Sequence, residues 1–144
     1  MATVKGMLGA GTQVELTARQ FRWSGDEPLA AGGTDTAPTP YELLLGSLAA
    51  CITLTLRLYA NHKGIALRGV DVDLEYDRVH ADDCAECDES ESGTLDRVRT
   101  RVTIHGDFDE AQRRRLAQVA ERCPVHKTLA RGIKIFDAVE FTDA

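Results

Sequence analysis

The longest apolar run of the chain lies between Thr39 and Gly64, TPYELLLGSLAACITLTLRLYANHKG, and its pattern predicts one long helix. Leucines 43, 44, 45, 48, 54, 56 and 58, with Ile52 and the alanines, leave almost no polar face. A helix of this kind is buried on most sides. Both ends are marked. Thr39 and Glu42 have the spacing of a capping box, and Pro40 falls at the first helical position, where a missing N–H costs nothing. Gly64 is placed for a left-handed stop, and Lys63 suits the negative end of the dipole. Such a helix is about 34 Å long, against a radius of gyration of roughly 15 Å for a compact chain of this size. It crosses the subunit, and one subunit has little left to cover it, so a second subunit is expected to help. Ser47, Thr53, Thr55 and Arg57 interrupt the run, which makes it a poor membrane span.

Alternation predicts strands on either side. Val4–Leu8 and Gln13–Trp23 read as two strands separated by Gly9, Gly11 and Thr12. Val14, Leu16 and Ala18 share a face, whereas Phe21 and Trp23 have the other parity, which a bulge near Arg19–Gln20 would explain. Asp26-Glu27-Pro28 ends the strand, and residues 29–38 form a loop into the long helix. After the helix, Val70–Val79 alternates apolar residues with Asp71, Asp73, Glu75 and Asp77. Leu95–His105 alternates with Arg97, Arg99 and Arg101 and is its expected antiparallel partner, the charges matching across the strands on a solvated surface. A helix is predicted over Asp109–Arg122, opened by an Asp109/Gln112 capping box and buried through Leu116, Val119 and Ala120. Cys123-Pro124 begins a short helical turn through Leu129, Gly132 closes it, and Ile133–Phe141 reads as a last strand. This order indicates an α+β fold with an antiparallel sheet.

At 144 residues the chain is expected to be a single domain spanning residues 1–144. Its net charge of −6 argues against a nucleic acid or an anionic membrane as partner. MATVKGMLGAG has no apolar core region of a signal peptide, so the expected location is cytoplasmic. Four cysteines in a reducing compartment point to catalysis or metal binding rather than structural disulfides.

Cys123 would sit at the N-cap of its short turn, where backbone donors, the dipole and nearby Arg122, His126 and Lys127 favour a thiolate. Cys51 lies about three turns inside the long helix, where the dipole helps little and apolar neighbours disfavour charge; from composition alone it reads as a small buried hydrophobe. His80-Ala81-Asp82-Asp83-Cys84-Ala85-Glu86-Cys87 offers a separate candidate. It reads as an exposed loop with two free or paired thiols, as part of a tetrahedral zinc site if a fourth ligand arrives from elsewhere, or as a redox pair. His62 and His105 read as bystanders, and His126 either supports the Cys123 thiolate or packs.

Three segments carry a family resemblance. They are Gly32-Gly33 through Pro40 into YELLLGSLAAC, the stretch from Gly106 ending in LAQVAERCPVHKTL, and the closing Ile133-Lys134-Ile135. Together they resemble the OsmC/Ohr family of osmotically inducible and organic-hydroperoxide-resistance proteins, over about Asp26 to Phe136. The chain is most similar to the branch with DEP before the loop and HADDCAEC in the middle. The resemblance implies an OsmC-like fold with antiparallel sheets wrapped around a long central helix in an intertwined homodimer. It implies a thiol peroxidase that needs no metal or flavin. Cys51 takes the peroxidatic position and becomes a sulfenic acid, and Cys123 takes the resolving position and closes a disulfide. A dithiol, lipoyl-type in the family, reduces that disulfide, and leucines near Cys51 would line an apolar pocket for the hydroperoxide.

The family also places a Glu directly after the helix-opening Pro, positioning an Arg beside the reactive thiol. Here Tyr41 follows Pro40 and the carboxylate, Glu42, comes one residue later. Glu42 is nine residues from Cys51, on the opposite side of a straight helix, and reads either as the helix cap or as a catalytic group. Arg22, with Arg19, is the candidate for the arginine. Two rivals stand beside the peroxidase. One is the same fold holding a small apolar or electrophilic ligand without turnover, and the other is a zinc protein centred on Cys84 and Cys87.

Overall fold

A computed structural model of the chain describes residues 1–88 and 90–143. The observed class is α+β: antiparallel sheets and one long helix. The chain divides into two compact units, each drawn from both halves of the sequence. The first comprises residues 1–50 and 72–103, and the second residues 51–71 and 104 onward.

The first unit opens with a three-stranded antiparallel sheet, β1 Lys5–Met7, β2 Val14–Ala18 and β3 Phe21–Gly25, in that order. The expected single strand with a bulge is instead a hairpin. Arg19 and Gln20 form a two-residue turn, with Arg19 at φ 53° and its guanidinium over the Phe21 ring at 4.8 Å. Ala18 pairs with Phe21, Leu16 with Trp23 and Val14 with Gly25. Directly opposed residues share a face, so reversal of the chain accounts for the change of parity.

The loop into the helix is organised by Asp26, which is 3% exposed. Its carboxylate accepts from the Thr12 and Thr36 hydroxyls, each at 2.7 Å, from the Thr34 hydroxyl, and from the Glu27 and Thr36 N–H groups at 2.8 and 3.2 Å. Its own N–H donates to Pro38 O at 3.0 Å. These bonds hold the carboxyl well below the usual range, the Thr34 hydroxyl most of all. Gly33 is required here, because a Cβ would lie 1.9 Å from Glu27 O.

The long helix α1 runs Pro40–Lys63. Its capping box is formed: Glu42 N–H donates to Thr39 Oγ1 at 3.2 Å, and Thr39 N–H donates to Glu42 Oε1 at 3.1 Å. Gly64 takes φ 67°, and Ile65 N–H donates back to Ala60 O at 2.9 Å, closing the helix as expected. Leu48, Ile52, Leu56 and Ala60 form a buried stripe at intervals of four. Leu54 and Leu58, on another face, are 58% and 64% exposed.

Strands β4 Leu67–His80 and β5 Thr94–Gly106 pair as a two-stranded sheet, longer than the alternation suggested. In the first unit the charge matching is present: Arg97 grips both oxygens of Asp77, at 2.9 and 2.6 Å, and Arg78 donates to Asp96 at 3.1 Å. Tyr76 also donates to Asp96, which with Tyr41 pushes the phenol up to about 12. Tyr76 stacks on Tyr41 with ring centroids 4.4 Å apart.

In the second unit, α2 Glu110–Ala120 begins with the expected Asp109/Gln112 box and buries Leu116 and Val119. Helix α3 Pro124–Arg131 follows, with Cys123 as its N-cap. The expected last strand is not formed. Residues 132–143 carry no regular structure, and Ile135, Phe136 and Phe141 are 76%, 91% and 94% exposed. A strand exists through its pairing, and none of the described strands pairs with this segment.

Candidate functional site

Two free thiols, 72 residues apart in the chain, meet in the second unit. Cys51 is delivered by α1 one residue before buried Ile52, and is itself half-buried. Cys123 is delivered by the turn between α2 and α3 and is fully buried. Pro124 fixes the first helical residue, which leaves the following N–H groups free to point at sulfur. Val125 N–H donates to Cys51 Sγ at 3.5 Å, and His126 N–H donates to Cys123 Sγ at 3.2 Å. The first turn of α3 therefore supplies one donor to each sulfur. The Thr55 hydroxyl lies 4.0 Å from Cys51 Sγ, one turn further along α1.

The expectation that the N-cap position makes Cys123 the readier thiolate is corrected. Burial pushes the Cys123 thiol up, the neighbouring Cys51 sulfur pushes it further, and the His126 N–H only partly opposes them. Desolvation outweighs the cap because the site is closed to water on the Cys123 side. Cys123 thus keeps its proton and has the Cys51 sulfur as its hydrogen-bonding neighbour.

The other singled-out residues have partners of their own. In the first unit, Glu42 is tied to Thr39 in the helix cap, and that contact holds its carboxyl below the ordinary range. Arg22 lies 3.7 Å from Glu15 across the β2–β3 hairpin and is largely exposed. In the second unit, His105 pairs with Asp71 at 2.7 Å. Cys84 and Cys87 are joined in a disulfide, with Cα atoms 5.4 Å apart. This corrects the expectation against disulfides, and in this state neither sulfur is a thiolate available to zinc. Among the described residues no cluster of three or more His, Cys, Asp or Glu is arranged to hold a metal. Nothing along the chain signals the contribution of Val125, because a backbone donor leaves no trace in residue type. The role of Asp26 was hidden for a related reason: its partners Thr12, Thr34 and Thr36 are unremarkable one by one.

The family model described as OsmC-like protein matches residues 33–136, which include both thiols. No curated protein sequence matches the chain. Among solved structures, an OsmC-like protein from Mycoplasma pneumoniae superposes with a TM-score of 0.68 at 22% identity, over 90% of this chain and 87% of the other. An organic hydroperoxide resistance protein OsmC from Legionella pneumophila gives 0.60 at 24% identity, over 88% and 87%. An organic hydroperoxide resistance protein from Vibrio cholerae, with captopril in one of its active sites, gives 0.62 at 21% identity, over 92% and 85%. These likenesses agree in fold with the antiparallel sheets and long helix described above, and the family match covers most of the chain: the protein belongs to the OsmC-like family.

Proposed function

We propose that the protein reduces organic hydroperoxides with Cys51 as the attacking thiol and Cys123 as the resolving thiol. The observation that carries this reading is the asymmetry of the pair: Cys51 is partly open and accepts a backbone N–H, while Cys123 is sealed and keeps its proton. The Cys51 thiolate attacks the distal oxygen of ROOH. The O–O bond breaks, ROH leaves with a proton, and Cys51 becomes a sulfenic acid. Cys123 then attacks that sulfur, its proton leaves with the hydroxyl as water, and a disulfide closes. A dithiol of lipoyl type restores both thiols by exchange. Glu42 and Arg22 are the candidates for the carboxylate and arginine that position the peroxide.

The working unit in this reading is a cytoplasmic homodimer. Helix α1 is long and apolar enough to cross a membrane, and only 22% of its apolar window is buried within the chain. A second copy is the occupant that suits the remainder. Arg57 sits on the same helix with its guanidinium donating to Leu67 O at 2.7 Å.

The test is turnover of cumene hydroperoxide with dihydrolipoamide. Cys51→Ser is expected to remove it, by about 10³-fold or more. Equal rates would overturn the reading. The binding-only alternative draws on the captopril held by the Vibrio cholerae protein, and is favoured if peroxide leaves Cys51 neither sulfenylated nor disulfide-bonded.

A further inference from the structure

A second pair of sulfurs lies at the tip of the β4–β5 hairpin, in the first unit. The Cys84–Cys87 disulfide closes a ring within residues 81–93, a loop whose base is clamped by Ala81 N–H donating to Gly93 O at 2.7 Å. A single 3-10 turn over Ala81–Asp83 leads into it, capped by His80 Nδ1 accepting from Asp82 N–H at 3.2 Å. The two sulfurs are not equivalent. Cys84 is buried, at 7% exposure, whereas Cys87 is only half-buried. The surroundings are acidic. Asp82, Asp83, Glu86, Asp88 and Glu91 are all exposed, and Glu86 Oε2 lies 3.9 Å from Cys84 Sγ. The facing cations are Arg97 and Arg99, both held by Glu86 at 3.7 and 3.0 Å, and Arg97 is also held by Asp77. The carboxylates outnumber them.

We propose that Cys84–Cys87 is a second thiol–disulfide exchange site, opened by attack at Cys87 and selective for small uncharged dithiols. One sulfur of the dithiol, as thiolate, attacks Cys87 Sγ. The Cys84–Cys87 bond breaks, and Cys84 leaves as a thiolate that takes up a proton. The second sulfur of the dithiol attacks its partner in the mixed disulfide and releases Cys87, which is protonated in turn. The reagent becomes a cyclic disulfide, and the protein gains two electrons and two protons. Attack falls on Cys87 because that residue is the more open of the two. Selectivity arises because each further negative charge on the reagent meets the acidic tip, a penalty that salt screens.

The proposal concerns neither Cys51 nor hydroperoxide, so its failure and that of the peroxidase reading are separable. The test uses the full chain and its Cys51→Ser variant in native buffer, with Cys84 and Cys87 followed by alkylation and peptide mass spectrometry. Acid quenching of 2-mercaptoethanol reactions traps the first mixed disulfide, expected on Cys87 in both proteins. Dithiothreitol is compared with the anionic dithiol dimercaptopropanesulfonate, using an oxidised Gly-Cys-Ala-Ala-Cys-Gly peptide as reference. At low salt the protein is expected to prefer dithiothreitol about fivefold more than the peptide does, the excess vanishing near 0.5 M salt, where the screening length is about 4 Å. Reduction only in denaturant, a first adduct on Cys84, or a preference equal to that of the peptide would each overturn the proposal.

Discussion

The N–H of Val125 donates to the sulfur of Cys51 at 3.5 Å, across 74 residues of chain. The next N–H, that of His126, serves Cys123. One turn of helix thus addresses both thiols, but only one of them is sealed from water. Labelling with iodoacetamide is therefore expected to reach Cys51 before Cys123 at pH 7–8. The rate at Cys123 should keep rising above about pH 8.5, where an ordinary thiol levels off, because burial holds its proton on. The folded value is raised, so its contribution to stability is fully present below about pH 8.5 and is lost as pH climbs through the folded value. Chemical denaturation between pH 7 and 10, wild type against Cys123→Ala, measures that loss; parallel curves would contradict it.

Leu54 and Leu58 are more than half exposed on an otherwise apolar helix. A charge at a solvated position changes stability by about 0.5 kcal/mol or less, whereas a charge inside an interface breaks the assembly. Leu54→Asp with Leu58→Asp is expected to convert a two-chain mass in light scattering to a one-chain mass. The same experiment on Phe136→Asp and Phe141→Asp asks whether the exposed tail also meets the second copy, and a fall in the two-chain fraction is expected there too.

Asp26 gathers three threonine hydroxyls and the loop's N–H groups. Asn would turn an amide donor toward these donors, so Asp26→Asn is expected to lower the urea midpoint with an unchanged slope. The folded carboxyl lies below its unfolded value near 3.9, so its contribution is present above about pH 4 and is lost as pH falls further. The wild type should lose stability below that pH more steeply than Asp26→Asn.

Glu42 has two candidate roles that one substitution separates. Gln still completes a capping box, so Glu42→Gln should leave the denaturation midpoint unchanged. If its charge positions the peroxide, kcat/KM is expected to fall about tenfold. Thr39→Ala removes the cap itself and is expected to cost about 1 kcal/mol of stability. Unchanged kcat/KM in Glu42→Gln would leave the carboxylate with the cap alone.

What the sequence determined by itself was local. The capping boxes at Thr39/Glu42 and Asp109/Gln112, the left-handed stop at Gly64 and the alternation of β4 and β5 depend on residues within about four positions, so they could be read along the chain. The tertiary structure decided what depends on distant neighbours. It made a hairpin of Arg19–Gln20, because pairing of β2 with β3 selects a reversal over a bulge. It left Ile133–Phe141 without a strand, since a strand needs an edge to join. It also reversed the expected character of Cys123. The N-cap position that favours a thiolate is visible in Cys-Pro, but the burial that overrides it is created only when Cys123 folds against Cys51 in a place closed to water. Proximity and desolvation are properties of the packed chain, and no run of neighbouring residues encodes them.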